Sequence, residues 1–389
     1  MRPFLTLALM AMLAISALAE PLRPIVGKER NHLVSSGENL YSIAKQYSLA
    51  IEHLCFANSM PIGLDVAVGK ELVVPTRRVL PANPPEDGLV INLPERGVYL
   101  FRKGQFEKFY PVAIGQPGRF QTPEGSFKLE SRVENPTWLP PEWAGLGEVT
   151  VPAGPENPLG DRWMGLSLPG VGLHSTTSPT SIGAAASHGC MRMYPESARE
   201  LFEKVTVGMP VRIEYEPVKV GLDEETGEVY LQVLPDVYSR YDLLSHARER
   251  LKEAGVLPFV DEKLLERLVR RQSGRPELAL QTQVQVTRGG QPLDAPLSGI
   301  LKDGVMWISS DLARTLGLNL SWDAASRSVE VSRESSVVRF PVMAESGPVD
   351  PPPAFLFQGR TLLPARVLLN AFSIPFRWDA PSRTLHLEG

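Results

Sequence analysis

Residues 187–193 read Ser-His-Gly-Cys-Met-Arg-Met, and Cys190 in that run is one of only two cysteines in 389 residues. A cysteine becomes a useful nucleophile when a base can take its proton and amide donors can receive the charge developing on the attacked carbonyl. Two histidines stand near enough in sequence to serve: His188 inside the run and His174 in Gly-Leu-His-Ser-Thr-Thr upstream. His174 follows the apolar Val171-Gly172-Leu173, which places it at a strand end facing the cysteine. His188, two residues before Cys190, is expected to point elsewhere if the segment is extended, so the base is assigned to His174. A satisfied core histidine is the alternative for either residue. A zinc site from His174, His188 and Cys190 is a weaker alternative, because no CxxC pair or HExxH helix accompanies them. The local pattern therefore favours cysteine-based acyl transfer.

Working outward, the surrounding texture is that of strands. Leu89–Leu93 and Val98–Phe101 flank a turn at Glu95-Arg96-Gly97 and read as a hairpin. Lys108–Ile114 and Ser126–Leu129 are two further strands, with 115–125 as the loop between them. The stretch Asn135–Pro141 is too rich in proline for a central strand and reads as a rim loop. Within this region only Ser197–Val205 is clearly helical, and Val211–Glu214 closes a mostly β domain spanning 88–215.

That domain resembles the L,D-transpeptidases of the YkuD type. The resemblance is carried by the Ser-His-Gly-Cys-Met-Arg run and by an ordered set of segments at 91–101, 112–118, 122–129, 135–141 and 181–190. It implies that Cys190 is the nucleophile and His174 the base and later general acid, with the Ser175 backbone carbonyl orienting the imidazole. The amides of Gly189 and Cys190 would form the oxyanion hole, with His188 helping to shape it. Arg192 would hold a stem-peptide carboxylate or support the loop, and Ser187 and Trp138 would contact substrate. Many relatives have glycine where this chain has Ser175; a carbonyl is available from either, but the loop shape can differ. The implied reaction attacks the L-centre carbonyl of the third residue of a peptidoglycan tetrapeptide stem and releases the terminal D-alanine. The acyl group then passes to an amine, with no cofactor and no metal. The acceptor stays open between a stem diamino acid, a lipoprotein lysine, a free D-amino acid and water.

Residues 31–75 form a smaller unit. His32–Val34 and Glu71–Val74 read as strands, and Asn39–Tyr47 and Ile51–Ala57 as helices, with Leu40, Ile43, Ala44 and Tyr47 on one face. This βααβ unit resembles a LysM module, which implies binding to peptidoglycan glycan strands by Gly37 and Glu38 from one loop and Asn58 and Met60 from another. Cys55 reads as a small buried hydrophobe. Residues 76–87 read as a stiff proline-rich linker. Ahead of the module, Arg2, the apolar Phe4–Ile15 and Ala17-Leu18-Ala19 read as a cleavable export signal over residues 1–19. The expectation is an exported, periplasmic or wall-associated protein with no stable transmembrane anchor after cleavage.

Residues 216–280 read as an extension and helical connector, with helices over Asp236–Glu253 and Asp261–Arg271. Residues 281–389 repeat themselves: Ser321-Trp322-Asp323 matches Arg377-Trp378-Asp379 and Ser326–Val331 matches Ser382–Leu387, at a constant spacing of 56. Each unit reads helix, strand, turn, strand, with helices beginning at Met306-Trp307-Ile308 and Leu362-Leu363-Pro364. The pair resembles the duplicated N-terminal stalk domain of copper amine oxidases, without copper ligands, and is expected to be an adhesion or spacer module of α+β type. Net charge is -4, from 40 basic and 44 acidic residues. That balance gives no field for nucleic acid. Two other readings are open: a thiol peptidase or amidase that uses the same Cys190 and His174 but loses the acyl group to water, and a non-enzymatic wall-binding protein built from the LysM-like and duplicated modules around an inert centre.

Overall fold

A computed structural model describes residues 22–388 apart from 142–144, 146–148, 281–283, 294–298, 303–304, 343–351 and 358–359. The expected export signal lies outside the described residues. Among those described, no helix is long and apolar enough to cross a membrane.

The chain opens with β1 (Arg23–Val26) and β2 (Arg30–Leu33), followed by α1 (Leu40–Gln46), α2 (Ile51–Ala57) and β3 (Glu71–Val74). Asn39 caps α1 by accepting the Ser42 amide at 2.9 Å. The two helices and the β2–β3 pair close a small core of Leu40, Ile43, Leu54, Cys55, Leu72 and Val74. The unit does not stand apart on a free linker. Arg78–Val79 of the expected linker form β4, buried in a sheet described below.

The central domain is built on β5 (Gly88–Asn92), β6 (Gly97–Arg102), β7 (Gln105–Gly115) and β8 (Gly125–Glu134). It continues with β9 (Arg162–Leu166), β10 (Gly172–His174), β11 (Ala185–Ser187) and β12 (Met191–Met193), then α3 (Pro195–Lys204) and β13 (Pro210–Glu214). Two long strands hold it together. β7 pairs with β6 through Pro111, then turns to β12 at Val112 and Ala113. β8 pairs with β13 through Lys128 and with β9 from Leu129 onward, across a register shift at Leu129/Ser131. A bulge there lets one strand change partner and serve two sheets. Leu89, Ile91, Leu100, Val112, Leu173, Met191 and Leu201 pack between the sheets as a single core.

The segment expected to be a helical connector also supplies strands: β14 (Val218–Leu222), β15 (Val229–Val233) and β16 (Pro276–Leu280). They join β1 and β4 in a five-stranded sheet ordered β16-β15-β14-β1-β4. Its helices are α4 (Leu243–Glu253) and α5 (Glu262–Arg271), capped by Asp242 and Asp261. The first helix is shorter than the sequence suggests, because Asp236 spends its carboxylate on the Tyr215 hydroxyl and the Tyr241 amide instead of starting a helix.

In the C-terminal domain, Val305–Ser309 and Arg360–Pro364 are strands, each followed by its helix, Ser310–Thr315 and Ala365–Ala371. The expected helix starts at Met306 and Leu362 are thus corrected; Ile308 and Leu363 face each other across a strand pair in the core. The two units share their turn chemistry. Ser326 and Ser382 donate to Asp323 and Asp379, each at 2.6 Å, and Arg327 and Arg383 both adopt φ of 50°. Phe259 of the connector meets Trp307, Phe355 and Phe357, so this domain is packed on its neighbour.

One buried polar knot joins three of these parts. The Lys219 ammonium on β14 donates to Glu95 Oε2 at 2.7 Å, to the Tyr99 hydroxyl at 3.0 Å and to the Val79 carbonyl at 2.7 Å. Gln232 on β15 donates to Glu95 Oε1 at 3.3 Å and accepts the Val79 amide at 3.0 Å. Burial pushes the Glu95 carboxyl up, but Lys219, Arg78 and Tyr99 outweigh it and hold it below the usual carboxylate range. From the N-terminal unit, the His53 imidazole donates to the Glu95 carbonyl at 2.8 Å and accepts the Ala50 amide at 3.2 Å. Removing Lys219 takes from the buried Glu95 its nearest cation and leaves it only the more distant Arg78, 3.8 Å away. Lys219→Met is therefore expected to lower the unfolding free energy by about 3–5 kcal/mol, measured by chemical denaturation. A loss below about 1 kcal/mol would show that the knot contributes little.

Candidate active site

The register of β10 against β12 builds the site. The two strands are parallel, with Leu173 opposite Met191 and His174 opposite Arg192. Leu173 and Met191 point into the core, so strand alternation turns His174 and Arg192 to the other face. Cys190, one alternation before Arg192, shares that face and lies diagonal to His174. Its thiol donates to the Gly170 carbonyl at 3.2 Å. His188 would fall on the same face were the backbone extended from 188 to 190. The turn at Gly189, with φ of 114°, sends it elsewhere. A side chain at 189 would meet nothing within 4 Å, so glycine is needed there for conformation and not for space.

His174 is nearly fully buried, and its Nδ1–H donates to the Ser175 carbonyl at 2.6 Å. That bond leaves Nε2 as the atom able to take a proton. Ser175 is fixed in turn by its side chain. Its hydroxyl donates to Asp161 Oδ1 at 2.7 Å and accepts the amides of Asp161 and Arg162 at 3.0 and 3.1 Å. Arg199 binds the second oxygen of Asp161 at 2.5 Å. The serine that replaces the usual glycine thus tightens the loop bearing the orienting carbonyl. Trp163, opposite His174 on β9, places its ring 6.0 Å from the imidazole.

The electrostatics favour an uncharged resting pair. Burial holds the His174 imidazole at about 4; Arg192 pushes the same way, against the pull of the Ser175 carbonyl. Burial also pushes the Cys190 thiol up, and the Gly172 amide and Arg192 recover only part of that rise. Both shifts favour a neutral thiol and a neutral imidazole at rest.

Of the other predicted residues, Ser187, Asn58 and Met60 do different work from that expected. Ser187 is buried within the loop, donating to the Cys190 carbonyl at 2.5 Å and accepting the Gly189 amide at 3.2 Å. It shapes the turn instead of facing substrate, and the Gly189 amide is engaged by a long bond that an oxyanion would have to displace. His188 is exposed and meets the Phe120 ring edge-on at 4.5 Å. Trp138 is half-buried in the rim loop, its backbone paired with Val151. In the N-terminal unit, Asn58 bonds the Leu54 and Val73 carbonyls and the Val73 amide, each at 2.8 Å, so it is a structural bracket. Met60 packs on the small core. Glu38 accepts from the Ser35 amide at 2.7 Å and pairs with His32 at 2.9 Å, beside an exposed Gly37 with φ of 87°. No group of three or more His, Cys, Asp or Glu among the described residues is placed to hold a metal ion.

Sequence reasoning missed Trp163 and Phe120. Met164 and Leu166, buried at alternate positions, were the available sign that 162–166 is a strand and that Trp163 faces the site. Phe120 lies on a loop, where no periodicity marks a functional side chain.

The neutral pair makes a direct prediction. Alkylation of Cys190 by iodoacetamide should climb with pH beyond the ordinary thiol range, with no plateau between pH ~5 and ~8. A flat, fast rate across that interval would mean a preformed thiolate–imidazolium pair and contradict the burial argument.

Residues 86–213 match the L,D-transpeptidase catalytic domain (YkuD), and residues 288–387 match the copper amine oxidase N-terminal domain. The chain is similar to the probable L,D-transpeptidase YcfS of Escherichia coli, 31% identical over 303 residues, covering 70% of this chain and 92% of that one. It is also similar to the probable L,D-transpeptidase ErfK/SrfK of Salmonella typhimurium, 30% identical, covering 67% and 90%. The putative L,D-transpeptidase YkuD of Bacillus licheniformis is 31% identical, covering 46% of this chain and 96% of its own. With the full length of such relatives almost wholly matched around one buried histidine and one half-buried cysteine, the chain belongs to the YkuD-type L,D-transpeptidase family.

Proposed function

We propose that this protein transfers peptidoglycan stem peptides through a thioester on Cys190. The observation that carries the reading is the shared face of His174 and Cys190 across β10 and β12, with His174 Nδ1 tied to the Ser175 carbonyl at 2.6 Å. The thiol attacks the carbonyl at the L-centre of the third stem residue while its proton passes to His174 Nε2. The carbon–nitrogen bond to the terminal D-alanine breaks, and the proton on His174 goes to the leaving amine. An acceptor amine then attacks the thioester, gives its proton to His174, and the thiol is restored. The Cys190 and Gly189 amides serve the oxyanion once the Gly189–Ser187 bond yields. Trp138 on the rim offers an aromatic wall to the stem.

The N-terminal unit is read as a LysM-like glycan holder. Asn58 and Met60 are committed elsewhere, so the surface around Gly37 and Glu38 is completed by exposed Leu33, Ile62, Leu64 and Val68, apolar groups suited to sugar faces. The Leu40 amide bonds the Leu64 carbonyl at 2.9 Å and brings that loop beside the start of α1. The C-terminal duplicated domain is read as a stalk, and the whole as an exported protein.

The test compares wild type, Cys190→Ala and His174→Ala on a disaccharide-tetrapeptide with an added diamino-acid amine, products separated by mass. Wild type should yield the amine-exchanged product. Cys190→Ala should give none, and His174→Ala should fall at least about a hundredfold. Full turnover by Cys190→Ala would refute the assignment, and shortened peptide alone would identify water as the acceptor.

A further inference from the structure

Tyr238 lies outside residues 86–213, the segment that matches the catalytic domain, and takes no part in the chemistry described above. Its side chain is nevertheless buried against that domain. The hydroxyl donates to the Gly115 carbonyl at 2.8 Å and accepts the Thr122 amide at 3.2 Å. The Gly115 amide in turn donates to Thr122 Oγ1 at 2.9 Å. One phenol thus ties the end of β7 to the far arm of the loop that follows it. That loop folds tightly onto the strand end: a Cβ added at Gly115 would come 2.0 Å from the Phe120 carbonyl oxygen.

From this strand end a short chain of hydrogen bonds reaches the nucleophile. β7 pairs in parallel with β11, with Gly115 opposite Ser187. The register shifts between Ala185 and Ser187, so regular pairing does not continue into the turn. The Gln116 amide holds the turn instead, donating to the Ser187 carbonyl at 3.0 Å. Ser187 then shapes it, through its hydroxyl bonds to the Cys190 carbonyl and the Gly189 amide. Phe120, on the tied loop, touches the same turn by meeting His188 edge-on at 4.5 Å.

Tyr238 is itself fixed from behind. Its amide donates to the Tyr215 hydroxyl at 2.8 Å, and the two rings stack with centroids 5.3 Å apart. Tyr215 donates in turn to Asp236. Arg240 lies over the Tyr215 ring, donates to Gln121 at 2.7 Å and pairs with Glu124, which gives the extension a second hold on the loop.

We infer that Tyr238 is a positioning residue for acyl transfer: through Gly115, Gln116 and Ser187 it aims the Gly189 and Cys190 amides at the oxyanion. The inference rests on the proposed function, in which those amides receive the charge of the attacked carbonyl. An amide donor speeds the reaction only when it points to where that charge develops. Misdirecting it therefore slows acylation without weakening the hold on the donor. The extension thus helps to build the site.

The test compares wild type with Tyr238→Phe, which keeps the stacked ring and removes only the hydroxyl. Cys190 acylation by a tetrapeptide donor gives kcat and KM, and iodoacetamide gives the alkylation rate of the same thiol. Alkylation displaces iodide from a saturated carbon and forms no oxyanion, so it reads the thiol alone. Tyr238→Phe should lower kcat about tenfold or more, with KM and the alkylation rate within about twofold of wild type. An unchanged kcat would show that the hydroxyl does not aim the amides. Equal losses in acylation and alkylation would mean a general loosening of the site, and a rise in KM alone would place Tyr238 in donor recognition. Each of these outcomes overturns the positioning role while leaving the thioester chemistry intact. A wild-type protein that is alkylated but never acylated would overturn the proposed function itself, and the role of Tyr238 with it.

Discussion

The buried contact between Lys219 and Glu95 is the interaction on which the arrangement of this protein depends. Glu95 sits in the β5–β6 turn of the catalytic domain, and Lys219 comes from the extension. A buried ammonium and carboxylate are tolerated only when each is paired and further hydrogen-bonded, and here Tyr99, Gln232 and the Val79 carbonyl complete both. The backbone of Glu95 binds His53 of the N-terminal unit as well. One turn therefore fixes the glycan-binding candidate and the extension against the catalytic core. Close packing reinforces it. Gly183, with φ of 96°, lies where an added side chain would come 2.4 Å from Ala50, and Tyr194 donates to the Leu49 carbonyl at 3.2 Å.

That rigidity reaches the reactive residues. Ile182, within the segment running from His174 to Cys190, and Tyr194, just after it, share a small core with Ala50. On the other side Tyr238 braces the loop of Arg119 and Phe120. The proposed catalytic pair, Cys190 and His174, is thus held between an N-terminal and a C-terminal neighbour. A half-buried thiol beside a buried imidazole needs such support. Their proton transfer depends on orientation, supplied by the Ser175 carbonyl and the Ser175–Asp161–Arg199 chain behind it.

What could be read in the sequence was local. The β5–β6 hairpin follows from apolar runs on either side of Glu95-Arg96-Gly97, and the turn at Asp323 and Asp379 follows from a repeated motif. The rarity of cysteine singled out Cys190, and the apolar run before His174 placed it at a strand end. What could not be read depended on distant partners. β4 is a strand because β1 lies beside it, and the connector joins the same sheet because β14 pairs with the other edge of β1 and β15 with β14. Asn58 and Ser187 have polar side chains suited to ligands, yet each is consumed by backbone groups that only the fold brings near. His188 was placed away from the thiol for a reason alternation does not supply; the Gly189 backbone does.

The most direct test of the account is the intact mass of wild-type protein mixed with a tetrapeptide-stem donor, followed by addition of a diamino-acid amine. The account predicts an adduct equal to the donor less its terminal residue, mapped to Cys190 by peptide digestion and discharged when the amine is added. An adduct on any other residue, or transfer to the amine from protein whose Cys190 has been blocked by prior alkylation, would contradict it.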